Sequence, residues 1–412
     1  MEIDVGDEND SLMDENLPTT VEALMQHSEI RRQLRSQPVY MKYFWKLLLI
    51  ISVFYFLPSI QFVFFQYQDK AQCYFNFKCA HEFLGLRAFN NVISNAAYIV
   101  AGGAFLLILH FTQPKEDGVH GLHTDMSLFY CLGISVLCEG FSSALYHICP
   151  SKLNFQFDTT YMLIGSGLLF FTIHQKRHAT FTTGAFRAYA FFAIFIFLDF
   201  LSLTSINVYI FWTVFFLIFA YVSIAGSGYL LSHKRLQLNP SVNALWIYLL
   251  QLRHPRTIDD KPRFFSILIA LVLNWALVIT SAALGIVNNL SNNFSNLILG
   301  VIVLNFLIYL FYYIAMKIKY NERIHPMIWI IFMIMILCWG FGFYFFEIAV
   351  TNKFLSFDES MKLNKPCVLF DYFDTHDVWH FFSAVGLFTV MSIVYFIDYD
   401  LQYTPRSLIH VF

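Results

Sequence analysis

Ten apolar runs dominate this sequence, each close to the length that crosses a bilayer. They lie at roughly 42–65, 91–112, 126–147, 157–174, 186–204, 208–232, 264–287, 296–318, 327–349 and 376–398. A hydrocarbon core about 30 Å thick is spanned by about 20 helical residues. In lipid every backbone N–H and C=O must be satisfied within the segment, so continuous runs of this kind fold as helices. Their lack of strict alternation excludes a β-barrel. Composition points the same way: 58% of the 412 residues are hydrophobic, 19% aromatic and 13% charged, where soluble domains carry about 25% charged residues. A single water-soluble core cannot hide that much apolar surface. The fold class expected is all-α, a polytopic membrane bundle of about ten transmembrane helices. The net charge of −2 gives no whole-chain attraction for nucleic acid.

Residues 1–38 differ from the rest. Nine acidic residues, from Glu2 to Glu29, precede the first basic one, Arg31. The stretch reads as an acidic, disordered cytosolic tail, with a short helix possible over Val21–Arg35. It has neither a basic start nor an apolar stretch, so it is not a signal peptide. Residues 39–412 then form the transmembrane domain. Placing the N-terminus in the cytosol puts Lys176, Arg177, Lys234, Arg235, Lys317, Lys319 and most other basic residues on the cytosolic side. Lys70, Lys78, Arg87, Lys152, Lys353, Lys362 and Lys365 stay opposite, as the positive-inside rule asks. The sequons at Asn289 and Asn293 become lumenal glycosylation candidates. Cys73, Cys79, Cys149 and Cys367 also fall on the lumenal, oxidising side and are disulfide candidates, with three pairings open. Cys131, Cys138 and Cys338 lie inside spans, as packing residues. Gly102, Gly103, Gly133, Gly140, Gly165 and Gly167 are also intramembrane, where small residues permit close helix contact. Pro58 is expected to kink the first span.

Ionisable residues at the hydrocarbon edge are costly and mark functional sites. The third span ends Ser143-Ala-Leu-Tyr-His147, the fourth begins Phe155-Gln-Phe-Asp158, and the tenth begins His376-Asp-Val-Trp-His380. His376 and His380 share a helix face at a spacing of four, as do Ser143 and His147. The topology brings all three segments to one lumenal level. Three imidazoles with an open fourth position make a catalytic type of zinc site, which acidifies water and polarises a carbonyl. Asp158 then acts as base or water-orienting group, and Ser143 as a hydrogen-bond donor. Chance His pairs and helix-end caps are the competing reading for each residue alone. Asn91, Ser94 and Asn95 are candidates for support around the ligands or for interhelical bonding. Glu139 and Asp199 lie within spans, and Glu139, two turns below His147, either borders the same cavity or belongs to a buried pair. Leu310, Tyr312 and Lys317 fit a loose cholesterol-contact pattern, which an ordinary aromatic–cation belt also produces.

These motifs, with Phe89-Asn-Asn-Val-Ile-Ser-Asn95, Tyr146-His-Ile-Cys-Pro150, Asn154-Phe-Gln-Phe-Asp-Thr159, Cys73-Tyr-Phe-Asn-Phe-Lys-Cys79-Ala-His81 and the closing Val411-Phe412, resemble the systemic RNA interference defective (SID) transmembrane family. The resemblance runs from about residue 40 to the end. It implies membership of the CREST superfamily of membrane hydrolases and receptors, with Zn2+ held by His147, His376 and His380, Asp158 as the water-activating carboxylate and Ser143 as the superfamily serine. It further implies transport of double-stranded RNA, with cholesterol binding or uptake and zinc-dependent lipid hydrolysis as alternatives. Membrane lipids and a second copy of the chain are the implied partners, at the plasma membrane or in lysosomes and endosomes. The family normally carries a large N-terminal β-rich extracellular region and one further span. The present sequence begins at what resembles the following acidic loop, so RNA binding by this chain alone is expected to be weak.

Overall fold

The computed structural model describes residues 44–68, 72–113, 120–122, 126–177, 184–203, 207–232, 261–287, 294–348, 350–405, 408–410 and 412. The acidic tail, most of the loop 233–263, Asn289, Asn293 and Val411 lie outside the described residues. The helices are α1 (Phe44–Gln68), α2 (Phe89–Ile93), α3 (Ala96–Thr112), α4 (Met126–Ile148), α5 (Phe155–Arg177), α6 (Ala185–Leu203), α7 (Val208–Ser232), α8 (Lys261–Val287), α9 (Phe294–Lys319), α10 (Pro326–Phe346), α11 (Phe357–Lys362) and α12 (Thr375–Phe396). Among the described residues the only β-type pairs are isolated bridges. A long helix stands at each of the ten apolar runs. Among the described residues nine helices are long and apolar enough to cross a membrane, so this is an integral membrane protein.

The tenth long helix, α5, falls short because it carries Asp158, Thr159, Thr160, Thr172, His174, Gln175, Lys176 and Arg177. Its position explains this composition. It packs against α4, α6, α9 and α12, and most of those polar side chains are buried. A helix enclosed by other helices has little lipid to satisfy. The other central helix, α4, is touched by α1, α2, α3, α5 and α12 and is the most enclosed of the nine spans, 72% buried. Close approach of α3 and α4 depends on Gly102, where an added Cβ would stand 2.7 Å from the Gly133 carbonyl oxygen and 2.7 Å from the Leu137 nitrogen. Gly103 meets nothing and has no such role. Helix α10 covers α12 on one side, and α8 bridges α7 and α9. Pro58 lies inside α1, which continues through it.

At the end of the bundle formed by the C-termini of α5, α9 and α12, six charges meet. Asp398 pairs with Lys176 at 2.9 Å, Arg177 at 2.7 Å and Lys317 at 3.1 Å. Glu322 pairs with Arg177 at 2.7 Å and Lys317 at 3.3 Å, and Asp400 with Lys317 at 3.2 Å. The Tyr313 hydroxyl donates to Asp398 at 2.6 Å. The Phe412 ring sits under the Arg177 guanidinium, 4.6 Å from its carbon. This cluster corrects the cholesterol-contact reading of Leu310, Tyr312 and Lys317. The Lys317 side chain is fully buried among carboxylates, and Leu310 and Tyr312 are core residues, so the pattern does not present its cation at a lipid interface.

The opposite end is tied by two disulfides, Cys73–Cys149 and Cys79–Cys367. They pair the segment before α2 with the end of α4 and with the segment before α12. Cys131 and Cys138 lie buried inside α4 and Cys338 within α10, outside both disulfides.

Candidate metal centre

His147 closes α4, and His376 and His380 occupy the first turns of α12. Their ring centroids lie 5.1 Å (His147–His376), 5.0 Å (His147–His380) and 4.6 Å (His376–His380) apart. One ring nitrogen from each falls within 4.8 Å of the others. Small side-chain rotations bring such a set to the about 2.0–2.1 Å that zinc takes to nitrogen.

The start of α12 is fixed by a capping box. The Asp374 carboxylate accepts from the backbone N–H of His376 (2.9 Å) and Asp377 (3.0 Å), and Asp377 accepts in return from the Asp374 N–H (3.0 Å). Caps of this kind satisfy otherwise orphaned helix donors. Both carboxylates are fully buried, and amides from the segment before α2 and from α2 itself surround them. Asn76 and Asn91 donate to Asp374 at 3.1 and 3.3 Å, while Asn90 and Asn91 donate to Asp377 at 3.1 and 3.2 Å. The Ser94 hydroxyl donates to Asp377 at 2.8 Å and lies 2.8 Å from His380 Nδ1. With its proton on the carboxylate side, Ser94 oxygen accepts from Nδ1–H, which leaves the Nε2 lone pair of His380 for a cation. A ligating imidazole is commonly oriented by such an outer partner.

The donor set therefore fits a zinc ion. His147 Nε2 and His376 Nε2 are buried and have no hydrogen-bond partner, a situation that costs about 1–3 kcal/mol per group when unrelieved. Three neutral imidazoles suit zinc. His147 and His376 line a cavity of about 200 Å³ together with Asp158, Tyr146, Phe155 and Lys353.

Asp158 lies in the first turn of α5, where the exposed N–H dipoles favour a carboxylate. It accepts from the fully buried Ser143 hydroxyl at 2.5 Å. All five sequence-predicted residues thus come together. Lys353, in the segment between α10 and α11, stands on the cavity wall with its Nζ 3.1 Å from the Phe155 ring centroid. Burial pushes its amine down to about 7, opposed by Asp158 and Asp199. Asn95 is buried but turns its amide to the backbone of α2, 2.8 Å from the Asn91 carbonyl. Glu139 does not line the cavity. It is buried in α4 with Oε2 unpartnered. Asp199 accepts from Thr159 at 3.0 Å and from Ser295, joining α6 to α5 and α9. Sequence reasoning missed Asp374, Asp377, Asn76, Asn90 and Lys353. The Asp374-Thr-His-Asp377 spacing is a capping-box pattern and was the available signal for the first two.

These features define the class: an all-helical polytopic membrane protein with a largely buried cluster of three histidines at one end of the bundle. The chain belongs to the SID-1 family, whose model, described as "dsRNA-gated channel SID-1", matches residues 2–412. Human SID1 transmembrane family member 1 is 33% identical over 397 residues, covering 90% of this chain and 47% of that protein. The mouse protein of the same name is also 33% identical over 397 residues, with the same coverage. Cholesterol uptake protein 1 of Caenorhabditis elegans is 29% identical over 385 residues, 89% of this chain and 50% of that protein. The chain spans about half the length of these curated relatives.

Proposed function

We propose that this chain is the membrane-embedded part of a double-stranded RNA transport protein, acting at the plasma membrane or in lysosomes and endosomes. The observation that carries this reading is the match of the dsRNA-gated channel family model over nearly the whole chain. A second copy of the chain and extracellular RNA-capturing segments are the partners proposed for it. Cells expressing the chain are expected to take up labelled double-stranded RNA above untransfected controls, and RNA binding is expected to weaken steeply as salt rises. Uptake unchanged by expression, both alone and with a relative's extracellular region fused in front, contradicts the reading.

A second reading has its own support in the cavity lined by His147, His376 and Asp158, with Ser143 bonded to Asp158. We propose that His147, His376 and His380 hold zinc and that the site hydrolyses an acyl amide or ester of a membrane lipid. Zinc in such a site supplies Lewis acidity towards water and a carbonyl. In this reading Asp158 takes the proton of the attacking water and returns it to the leaving amine or alcohol. Ser143 fixes the orientation of Asp158 by donating to it. Tyr146, Phe155 and Phe354 give the cavity apolar walls, and Lys353 adds an amine to them. Sterol uptake, which the name of the Caenorhabditis elegans relative suggests, is a third proposal. It is separated from the other two by photo-crosslinking of a sterol probe to the helices.

A further inference from the structure

The segment Cys79-Ala-His81 is not used by the site above, yet it places three metal-type donors beside one another. Cys79 Sγ, Cys367 Sγ and a His81 ring nitrogen all lie within 4.8 Å of each other. The two sulfurs are joined as a disulfide, and His81 Nε2 stands 3.4 Å from Cys367 Sγ. Nothing in a structural disulfide requires an imidazole at that distance.

His81 and Cys79 are held by contacts that do not depend on the S–S bond. The His81 ring stacks on Tyr372, centroids 4.7 Å apart at 21°. The His81 N–H donates to Asn90 Oδ1 at 3.0 Å, and the Cys79 N–H donates to the Asn76 carbonyl at 3.0 Å. The two segments are also joined directly. Phe77 N–H donates to Asn364 Oδ1 at 3.0 Å, Lys365 N–H to Asn76 Oδ1 at 3.2 Å, and Asn76 to Asp374 at 3.1 Å. Breaking the S–S bond therefore leaves two thiols and one imidazole in place. Two thiolates and one imidazole form a borderline-soft set, of the kind zinc and its congeners bind tetrahedrally with one position left for water.

We propose that Cys79, Cys367 and His81 form a second, redox-gated metal site: oxidised, the two segments are stapled by a disulfide, and reduced, by a thiophilic divalent cation. The conversion needs a dithiol as reductant. Its first thiolate attacks Sγ of Cys367, the less buried of the two residues, Cys79 being only 2% exposed. The S–S bond breaks and Cys79 leaves as a thiolate. The second thiolate of the reductant then displaces Cys367 and closes a disulfide within the reductant. Two electrons pass to the protein, and the cation replaces the thiol protons, which go to solvent.

The test uses the full-length chain purified without reductant, then treated with dithiothreitol, freed of it under anaerobic conditions and titrated with Cd2+. Reduction is expected to add about one Cd2+ per chain with thiolate-to-metal charge-transfer absorption, since thiolates rather than thiols are the ligands. A Cys73→Ser/Cys149→Ser variant should keep this gain. His81→Ala retains the disulfide and should bind the added ion about tenfold or more weakly, because it lacks one of three protein ligands. The proposal is overturned if the reduced wild type gains no metal or unfolds. It is equally overturned if His81→Ala binds as tightly as wild type, or if the gain persists in Cys79→Ser/Cys367→Ser.

Discussion

Asp398→Ala is expected to destabilise the protein by about 3–5 kcal/mol, the cost of removing one partner from a buried ion-pair network. Asp398 faces Lys176, Arg177 and Lys317 within 2.7–3.1 Å, and all these side chains are nearly or fully buried. Without it, three cations remain against Glu322 and Asp400 in surroundings that solvate them poorly. The network joins the ends of α5, α9 and α12, so the loss spreads to the central helices. Asp400→Ala is expected to cost under about 1 kcal/mol, since its single pairing with Lys317 is partly solvated. A combined Asp398→Leu/Lys317→Met change should recover part of the loss, because the charges leave together. Thermal unfolding in detergent, followed by tryptophan fluorescence, reads all three. Equal melting temperatures for Asp398→Ala and Asp400→Ala would refute the assignment.

Asp158→Asn is expected to lower turnover of a labelled ceramide or ester lipid by about 10²–10⁴-fold, the usual contribution of a positioned general base. The amide is nearly isosteric and still accepts from Ser143, so folding and metal content should be those of the wild type. His376→Ala, in contrast, should lose turnover and metal together. Retention of full turnover in Asp158→Asn removes Asp158 from the chemistry. Unimpaired RNA uptake in the same variant would separate the transport reading from hydrolysis.

The fold was legible because lipid imposes a single rule on backbone polar groups, and apolar length then marks each helix. Among the long helices of the described residues only α5 departs from that rule, and it does so because its neighbours replace lipid around it. The grouping of the five candidate residues was legible from helical spacing combined with topology, since His376 and His380 share a face and both lie level with His147. The supporting shell was not. Asn76 and Asp374 are 298 positions apart, and no local pattern announces such a contact. Lys317 was misread for the opposite reason. Its local pattern suits a lipid interface, and only the approach of Asp398 and Glu322 shows that it is enclosed. The cysteine pairing stayed open because sidedness selects four residues without ordering them.

The centre on which the hydrolytic reading depends is tested most directly by elemental analysis of the chain purified without reductant, beside a His376→Ala/His380→Ala variant. About one zinc per wild-type chain is expected, as for a site with three protein ligands, and essentially none in the variant. Wild-type protein without zinc, or a variant that keeps it, would contradict the assignment of these histidines as its ligands.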